Sequence, residues 1–158
     1  MKHFGDNGYT KDFQGNILPK NSKLIDALGD LDELIGYLGL IRFISFEHKK
    51  TVFLIQKQLS CFASILANFP TNNRYISTNE LDNQIKKIES NTPCPKQFYL
   101  PGDSEIPIFI NITRTIARRA ERSINRLETP PPEILKFLNR LSSYLFALQI
   151  FYHYRKKH

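Results

Sequence analysis

Apolar residues recur at steps of three and four through most of this chain, and this spacing predicts α-helices. The pattern begins after Ser22, a good helix N-cap, and returns over about 47–68, 78–90, 104–127 and 133–154. Pro70, Pro93 and the run Pro130–Pro132 interrupt it, because proline cannot continue a helix. No stretch has a convincing strand pattern. We therefore expect an all-α protein, a five-helix bundle with short connections.

The first 22 residues lack this periodicity. They contain Gly5, Gly8, Gly15 and Pro19 together with several Asn and Asp, all of which favour turns. We expect an irregular arm at 1–22, followed directly by the helices of a single domain that covers 1–158.

The fourth predicted helix carries a charged ridge opposite its apolar side. At 3.6 residues per turn, six polar residues share an arc of about 100°. They are Asn111, Arg114, Arg118, Glu121, Arg122 and Asn125. Guanidinium groups are good bidentate partners for phosphates. Taken alone, however, the ridge more often means a solvated basic face with weak Glu–Arg support for the helix.

Composition narrows the partners and excludes some kinds of site. The net charge of +7 favours anionic partners, namely nucleotides, nucleic acid or acidic lipid, without choosing among them. No apolar run is long enough to span a membrane and the start lacks a signal-peptide core, so we expect a cytoplasmic protein. Cys61 and Cys94 have no metal-type spacing and the four histidines are scattered. We therefore expect reduced thiols and no structural zinc site.

Four segments together resemble the PduO-type ATP:cob(I)alamin adenosyltransferases. They are Gly5-Asp-Asn-Gly-Tyr-Thr10, Ala27-Leu-Gly-Asp-Leu-Asp-Glu-Leu34, Phe98-Tyr-Leu-Pro-Gly102 with Arg114-Thr-Ile-Ala-Arg-Arg-Ala-Glu-Arg122, and Leu138-Asn-Arg-Leu-Ser-Ser-Tyr-Leu-Phe146. The most specific signal is the third, in which Phe98 precedes Arg114 by 16 residues. The resemblance covers nearly the whole chain in the family's order.

The resemblance implies a fold, an activity and its cofactors. Members of this family are five-helix bundles that assemble as homotrimers with active sites between subunits. They are transferases that move the 5′-deoxyadenosyl group of ATP to the cobalt of reduced cobalamin (vitamin B12) and release triphosphate. ATP, Mg²⁺ and cobalamin are therefore the expected ligands. A reductase or an adenosylcobalamin-dependent enzyme is a further possible partner, whereas nucleic acid and membrane are not expected.

The resemblance also implies residue roles at matching positions. The arm, with Gly5, Asp6, Gly8, Thr10 and Lys20, would wrap ATP. The triphosphate, its magnesium and the nucleoside would be held by Arg118, Glu121, Arg122 and Asn139. The expected corrinoid residues are Asp32, Phe98, Arg114 and Phe146. Asp32 and Arg114 would pair across the subunit interface, Phe98 would press on the lower face of the corrin, and Phe146 would line its pocket. The catalytic set would be Phe98, Arg114, Arg118 and Asp32. We expect no metal site made by the protein alone, because Mg²⁺ would arrive with ATP, near Glu121.

The chain departs from the family pattern at several positions, and these departures keep alternatives open. The family usually has Thr at Phe4, a small or hydroxyl residue at Tyr9 and Gly at Asp103. One alternative is therefore a divergent corrinoid- or nucleotide-binding carrier of the same fold with weak or no catalysis. Another is a basic helical adaptor for nucleic acid. The Glu121 side chain among the arginines and the lack of a DNA-reading motif count against the adaptor.

Overall fold

A computed structural model describes residues 4–45, 47–93, 95 and 99–155, with only the backbone of Phe4. Within these residues the chain forms five α-helices, which confirms the predicted all-α bundle. Their bounds are α1 Lys23–Ile44, α2 Lys49–Leu66, α3 Thr78–Glu89, α4 Glu105–Asn125 and α5 Pro132–Arg155. The Ser22 side chain caps α1 as expected, accepting a hydrogen bond from the Ile25 amide at 3.4 Å.

Four helix pairs build the bundle within the described residues. Helix α4 contacts both α1 and α5, α2 packs on α1, and α3 packs on α5. The side chains of Phe137, Leu141, Tyr144 and Leu148 of α5 are all fully or almost fully buried. Helix α4 buries the apolar stripe expected from its sequence, including Ile110, Ala117, Ala120 and Ile124, which leaves its charged ridge on the outside.

The arm is more regular than its sequence indicates. A short 3-10 helix at Phe4–Asn7 leads into two antiparallel strands, β1 Tyr9–Lys11 and β2 Ile17–Pro19, with Thr10 opposite Leu18. The expectation of no strand was therefore wrong for this segment. Each strand has only three residues, too few for an alternating pattern to be recognised in the sequence. The turn between the two strands does much to keep this segment regular.

None of the helices in the described residues is both long enough and apolar enough to cross a membrane.

Candidate active site

A polar cleft lies between α4 and α5. It has a volume of about 370 Å³, and its lining within the described chain consists of Arg118, Glu121, Arg122, Asn125, Leu135 and Asn139. The four residues from α4 share one face of the helix because steps of three and four residues return to the same face. The Asn139 amide of α5 donates to Glu121 Oε1 at 3.4 Å, which links the two walls. The cleft thus contains four of the residues predicted to hold ATP.

The cleft has an excess of uncompensated positive charge. Arg118 and Arg122 form no ion pair with a carboxylate in the described part of the chain, and both are exposed. Arg114 lies one turn before Arg118. Its pKa is lowered, chiefly by partial burial and also by the neighbouring charge of Arg118. Guanidinium groups that lack an internal partner are available to an anionic ligand.

Arg114 is held by its own helix. Its Nη2 donates to Asn111 Oδ1 at 2.9 Å and its Nε donates to the same oxygen at 3.3 Å. Asp32 lies on the exposed surface of α1, and no contact with Arg114 is found within the described residues of this single chain. The pair predicted from the resemblance is therefore not made within one subunit and stays a prediction.

Arg119 points away from the cleft and ties α4 to α1. Its Nε donates to Asp30 Oδ1 at 2.8 Å, and its Nη2 pairs with Glu33. The Ser123 hydroxyl donates to the other oxygen of Asp30. Asp30 and Glu33 lie in one of the segments that carry the family resemblance, but the sequence alone did not predict Arg119 as their partner. Arg119 follows Arg118 directly and so lies about 100° further around the helix, toward α1, which is the signal that could have found it.

The predicted corrinoid residues are described only in part. Phe98 lies outside the described residues. Phe146 of α5 is 45% exposed, and Leu100 in the segment after Phe98 is 80% exposed. Exposed apolar side chains of this kind are suitable walls for a large planar ligand.

The segment after Phe98 is attached to the end of α5. The Tyr99 ring lies 4.2 Å from the His153 ring between centroids, and Asp103 Oδ2 lies 3.8 Å from His153 Nδ1. Beside this segment a larger cleft of about 810 Å³ opens between the end of α1, the start of α4 and the end of α5. Asp103, where the family pattern has Gly, therefore has a specific neighbour in this chain.

The arm residues predicted to wrap ATP lie together but apart from the cleft lining. Lys20 Nζ donates to the Gly5 carbonyl at 2.7 Å, and the Lys20 amide donates to the Gly8 carbonyl at 2.8 Å. Gly8 has φ of +79°, a conformation that favours glycine. Thr10 is in β1 and Asp6 is exposed in the 3-10 helix. None of these residues lines the described cleft between α4 and α5.

A model of the family described as cobalamin adenosyltransferase matches residues 2–152. The chain belongs to the cobalamin adenosyltransferase family. It is 35% identical over 156 residues to the corrinoid adenosyltransferase PduO of Citrobacter freundii, covering 91% of this chain and 47% of that protein. It is also 35% identical over 156 residues to a corrinoid adenosyltransferase of Bacillus subtilis, covering 90% of this chain and 80% of the relative. The family resemblance stated from sequence is thereby confirmed.

A solved structure agrees with this assignment. A variant of the PduO-type ATP:corrinoid adenosyltransferase from Lactobacillus reuteri, complexed with cobalamin and ATP, matches 98% of this chain and 90% of its own. The TM-score is 0.83 and the identity is 30%. This chain spans about half the length of the PduO relatives from Citrobacter freundii and Salmonella typhimurium.

The described residues do not by themselves provide a complete set of ligands for a metal ion. No group of three or more His, Cys, Asp or Glu side chains able to hold a metal ion occurs in the described part of the chain. Glu121, with the Asn139 amide beside it, is the carboxylate that lines the described cleft. Mg²⁺ is commonly held by one or two carboxylates together with the phosphates of a bound nucleotide, and Glu121 fits that arrangement.

Proposed function

We propose that this protein transfers the 5′-deoxyadenosyl group of ATP to the cobalt of cob(I)alamin and releases triphosphate. The observation that supports it best is the cleft between α4 and α5, where Arg118, Arg122, Glu121 and Asn139 meet. Two guanidinium groups without a carboxylate partner among the described residues, next to one carboxylate and one amide, suit a polyphosphate carrying Mg²⁺.

The cleft residues would bind and orient ATP. Arg118 and Arg122 would neutralise the triphosphate, and their charge would also stabilise it as the leaving group. Glu121 and Asn139 would supply oxygen ligands for Mg²⁺, whose role is to neutralise phosphate charge. A cleft of about 370 Å³ is at the small end for a binding site, so we expect the arm to cover the rest of the nucleotide.

The corrinoid side needs little acid–base chemistry. The electron pair of Co(I) forms the new bond to C5′ of the ribose, while the C5′–O bond breaks and its electrons leave with triphosphate. Phe98 would supply an apolar wall that excludes a lower axial ligand and offers no ligand atom of its own. Phe146, which is 45% exposed on α5, would extend this wall. Positioning and charge stabilisation would supply most of the rate.

We further propose a homotrimer that completes each site between two subunits. In the single chain, Asp32 is exposed and does not contact Arg114, and the arm does not line the cleft. Both facts are expected if a neighbouring subunit supplies the missing side of the site. We expect the enzyme to act in the cytoplasm and to receive its substrate from a reductase.

A divergent carrier is the alternative, and the arm motivates it. Tyr9, at a position where a small or hydroxyl residue is usual, is 48% exposed at the start of β1. Its bulk would then obstruct ATP without affecting corrinoid binding.

The test is an anaerobic spectroscopic assay with chemically reduced cobalamin, ATP and Mg²⁺. We expect wild type to form adenosylcobalamin. Losing one hydrogen-bonded charge should raise the KM for ATP by about 10-fold or more in Arg118→Ala. Arg74→Ala is the matched control, because Arg74 is an exposed arginine whose pair with Glu133 is long, at 3.7 Å.

The outcomes separate the two functions. Cobalamin binding by folded wild type without any ATP-dependent product would support the carrier. Equal ATP kinetics for Arg118→Ala and Arg74→Ala would remove Arg118 from the site.

A further inference from the structure

The tip of the arm is docked on the segment that follows α2. The Phe13 ring, in the turn between β1 and β2, lies 4.3 Å from the Phe69 ring between centroids, at an interplanar angle of 64°. This edge-to-face arrangement is one that aromatic pairs prefer. Beside it, Asn68 Nδ2 donates to Asp12 Oδ2 at 3.4 Å. Two adjacent residues of the turn thus contact two adjacent residues after α2.

The docked turn has a defined shape. Asp12 accepts hydrogen bonds from the Asn16 amide and from the Asn16 side chain, each at 2.8 Å. The side-chain bond is the main reason that the pKa of Asp12 is lowered, so its carboxylate is charged. Gly15 has φ of +86°, a backbone conformation in which a residue with a side chain would be strained. The Asp12 and Phe13 side chains are therefore presented from an ordered turn.

The receiving segment is equally well defined. Asn68 has φ of +59°, a left-handed conformation that Asn tolerates better than most residues. The Phe69 amide donates to the Ser64 carbonyl at 2.8 Å, and the Asn68 amide donates to the Ile65 carbonyl at 3.1 Å. These bonds close the end of α2 and direct Phe69 toward the arm.

We propose that the contact of Phe13 and Asp12 with Phe69 and Asn68 is a docking point that holds the arm in its ATP-binding position. This inference rests on the proposed function, in which the arm wraps ATP. Strand pairs of three residues are marginal alone, so the arm needs an anchor elsewhere. When only a fraction of molecules has the arm in place, the apparent affinity for ATP is the intrinsic affinity multiplied by that fraction. Phe13 and Phe69 are thus positioning residues that touch no substrate.

Kinetics of Phe69→Ala test the proposal. We expect the KM for ATP to rise by about three- to ten-fold, because the lost aromatic contact releases the arm. The kcat at saturating ATP and the KM for the corrinoid should stay within about two-fold, because ATP itself restores the docked arm. Phe69→Leu, which keeps an apolar side chain, should have a KM for ATP close to that of wild type. Phe53→Ala is the matched control, because Phe53 of α2 is 41% exposed and Phe69 is 43% exposed.

A double-mutant cycle shows whether the two rings act through one contact. Phe13→Ala combined with Phe69→Ala should raise the KM for ATP little more than either change alone. Additive effects, an unchanged KM, or an equal rise in the KM values for ATP and the corrinoid would each overturn the proposal.

Hydrogen exchange separates a failure of this inference from a failure of the proposed function. The amides of Thr10 and Leu18 should exchange faster in Phe69→Ala than in Phe53→Ala, whatever the activity. If wild type forms no adenosylcobalamin, the proposed function fails. Hydrogen exchange and calorimetric ATP binding in the same variants then test the docking point by themselves. Exchange rates and ATP affinity equal to those of wild type in Phe69→Ala would overturn it.

Discussion

Arg118 and Arg119 are neighbours in α4, yet we expect their replacement by alanine to have opposite consequences. Arg118 faces the cleft and has no ion pair within the described residues, whereas Arg119 holds Asp30 and Glu33 of α1. Arg119→Ala removes both ion pairs and leaves Asp30 with the Ser123 hydroxyl alone among these partners. The variant should therefore lose stability while keeping its affinity for ATP.

The expected loss of stability in Arg119→Ala can be worked out from how exposed the paired side chains are. The pair with Glu33 joins two side chains that are each 42% exposed, so it contributes less than about 1 kcal/mol. Asp30 is only 18% exposed, and its short bond to Arg119 is a charge-assisted one, worth about 1.5–3 kcal/mol when fully shielded. Because Arg119 itself is partly solvated, we discount that range and expect a total of about 2 kcal/mol. For a chain of this length, that lowers the Tm by about 4–8 °C.

The assay is calorimetric unfolding at one fixed protomer concentration, since assembly also affects the Tm. Arg118→Ala is the control and should unfold within about 1 °C of wild type, because an exposed side chain without a partner contributes little. The order should reverse for the KM of ATP, which rises only in Arg118→Ala. A Tm change below about 1 °C in Arg119→Ala, or equal losses in both variants, would refute the reasoning.

Four further changes test other parts of the molecule. Asp32→Ala should shift sedimentation toward smaller species or raise the KM for the corrinoid, because it removes the carboxylate that is predicted to pair with Arg114 across the subunit interface. Phe98→Ala should slow single-turnover adenosylation while calorimetric ATP binding stays unchanged. Burial against aromatic rings lowers the pKa of His48, so its neutral form is stabilised by folding. This stability is present above the ordinary pKa of about 6.5 and is lost as pH falls toward the folded pKa, so the Tm should fall between about pH 7.5 and 5.5, less so in His48→Gln. Tyr144→Phe should leave the Tm unchanged or raise it, because the buried Tyr144 hydroxyl has no hydrogen-bond partner among the described residues.

Each of these has a clear contradiction. Normal mass and kinetics for Asp32→Ala would exclude the predicted interface pair, and an unaltered rate for Phe98→Ala would remove that ring from the mechanism. An identical pH dependence of Tm in wild type and His48→Gln would assign the acid loss to other groups. A lower Tm for Tyr144→Phe would mean that the hydroxyl has a partner, such as an enclosed water.

Much of the candidate site could be predicted because helical periodicity is local. The spacing of Arg118, Glu121 and Arg122 places them on one face of α4 in any fold that keeps the helix. Asn139 was expected beside them only from the family resemblance, and it lines the same cleft from α5. The arm was less predictable. Its two short strands depend on the Asp12 turn and on contact with Phe69, which is 56 residues from Phe13 in sequence.

Helical periodicity and motif order are enough to predict the helices, the exposed charged ridge and the family, since neither depends on packing. Which charged side chains pair within the chain, in contrast, depends on how the helices pack. Arg118 and Arg119 are the same residue type at adjacent positions. Their separation of about 100° around the helix shows that they face different sides, but it does not show what packs against each side. The packing of α1 against one side of α4 gives Arg119 two carboxylate partners, and the packing of α5 leaves Arg118 facing an open cleft. Which side chain is free to bind an anion depends on neighbours that are distant in the chain, and therefore on the fold.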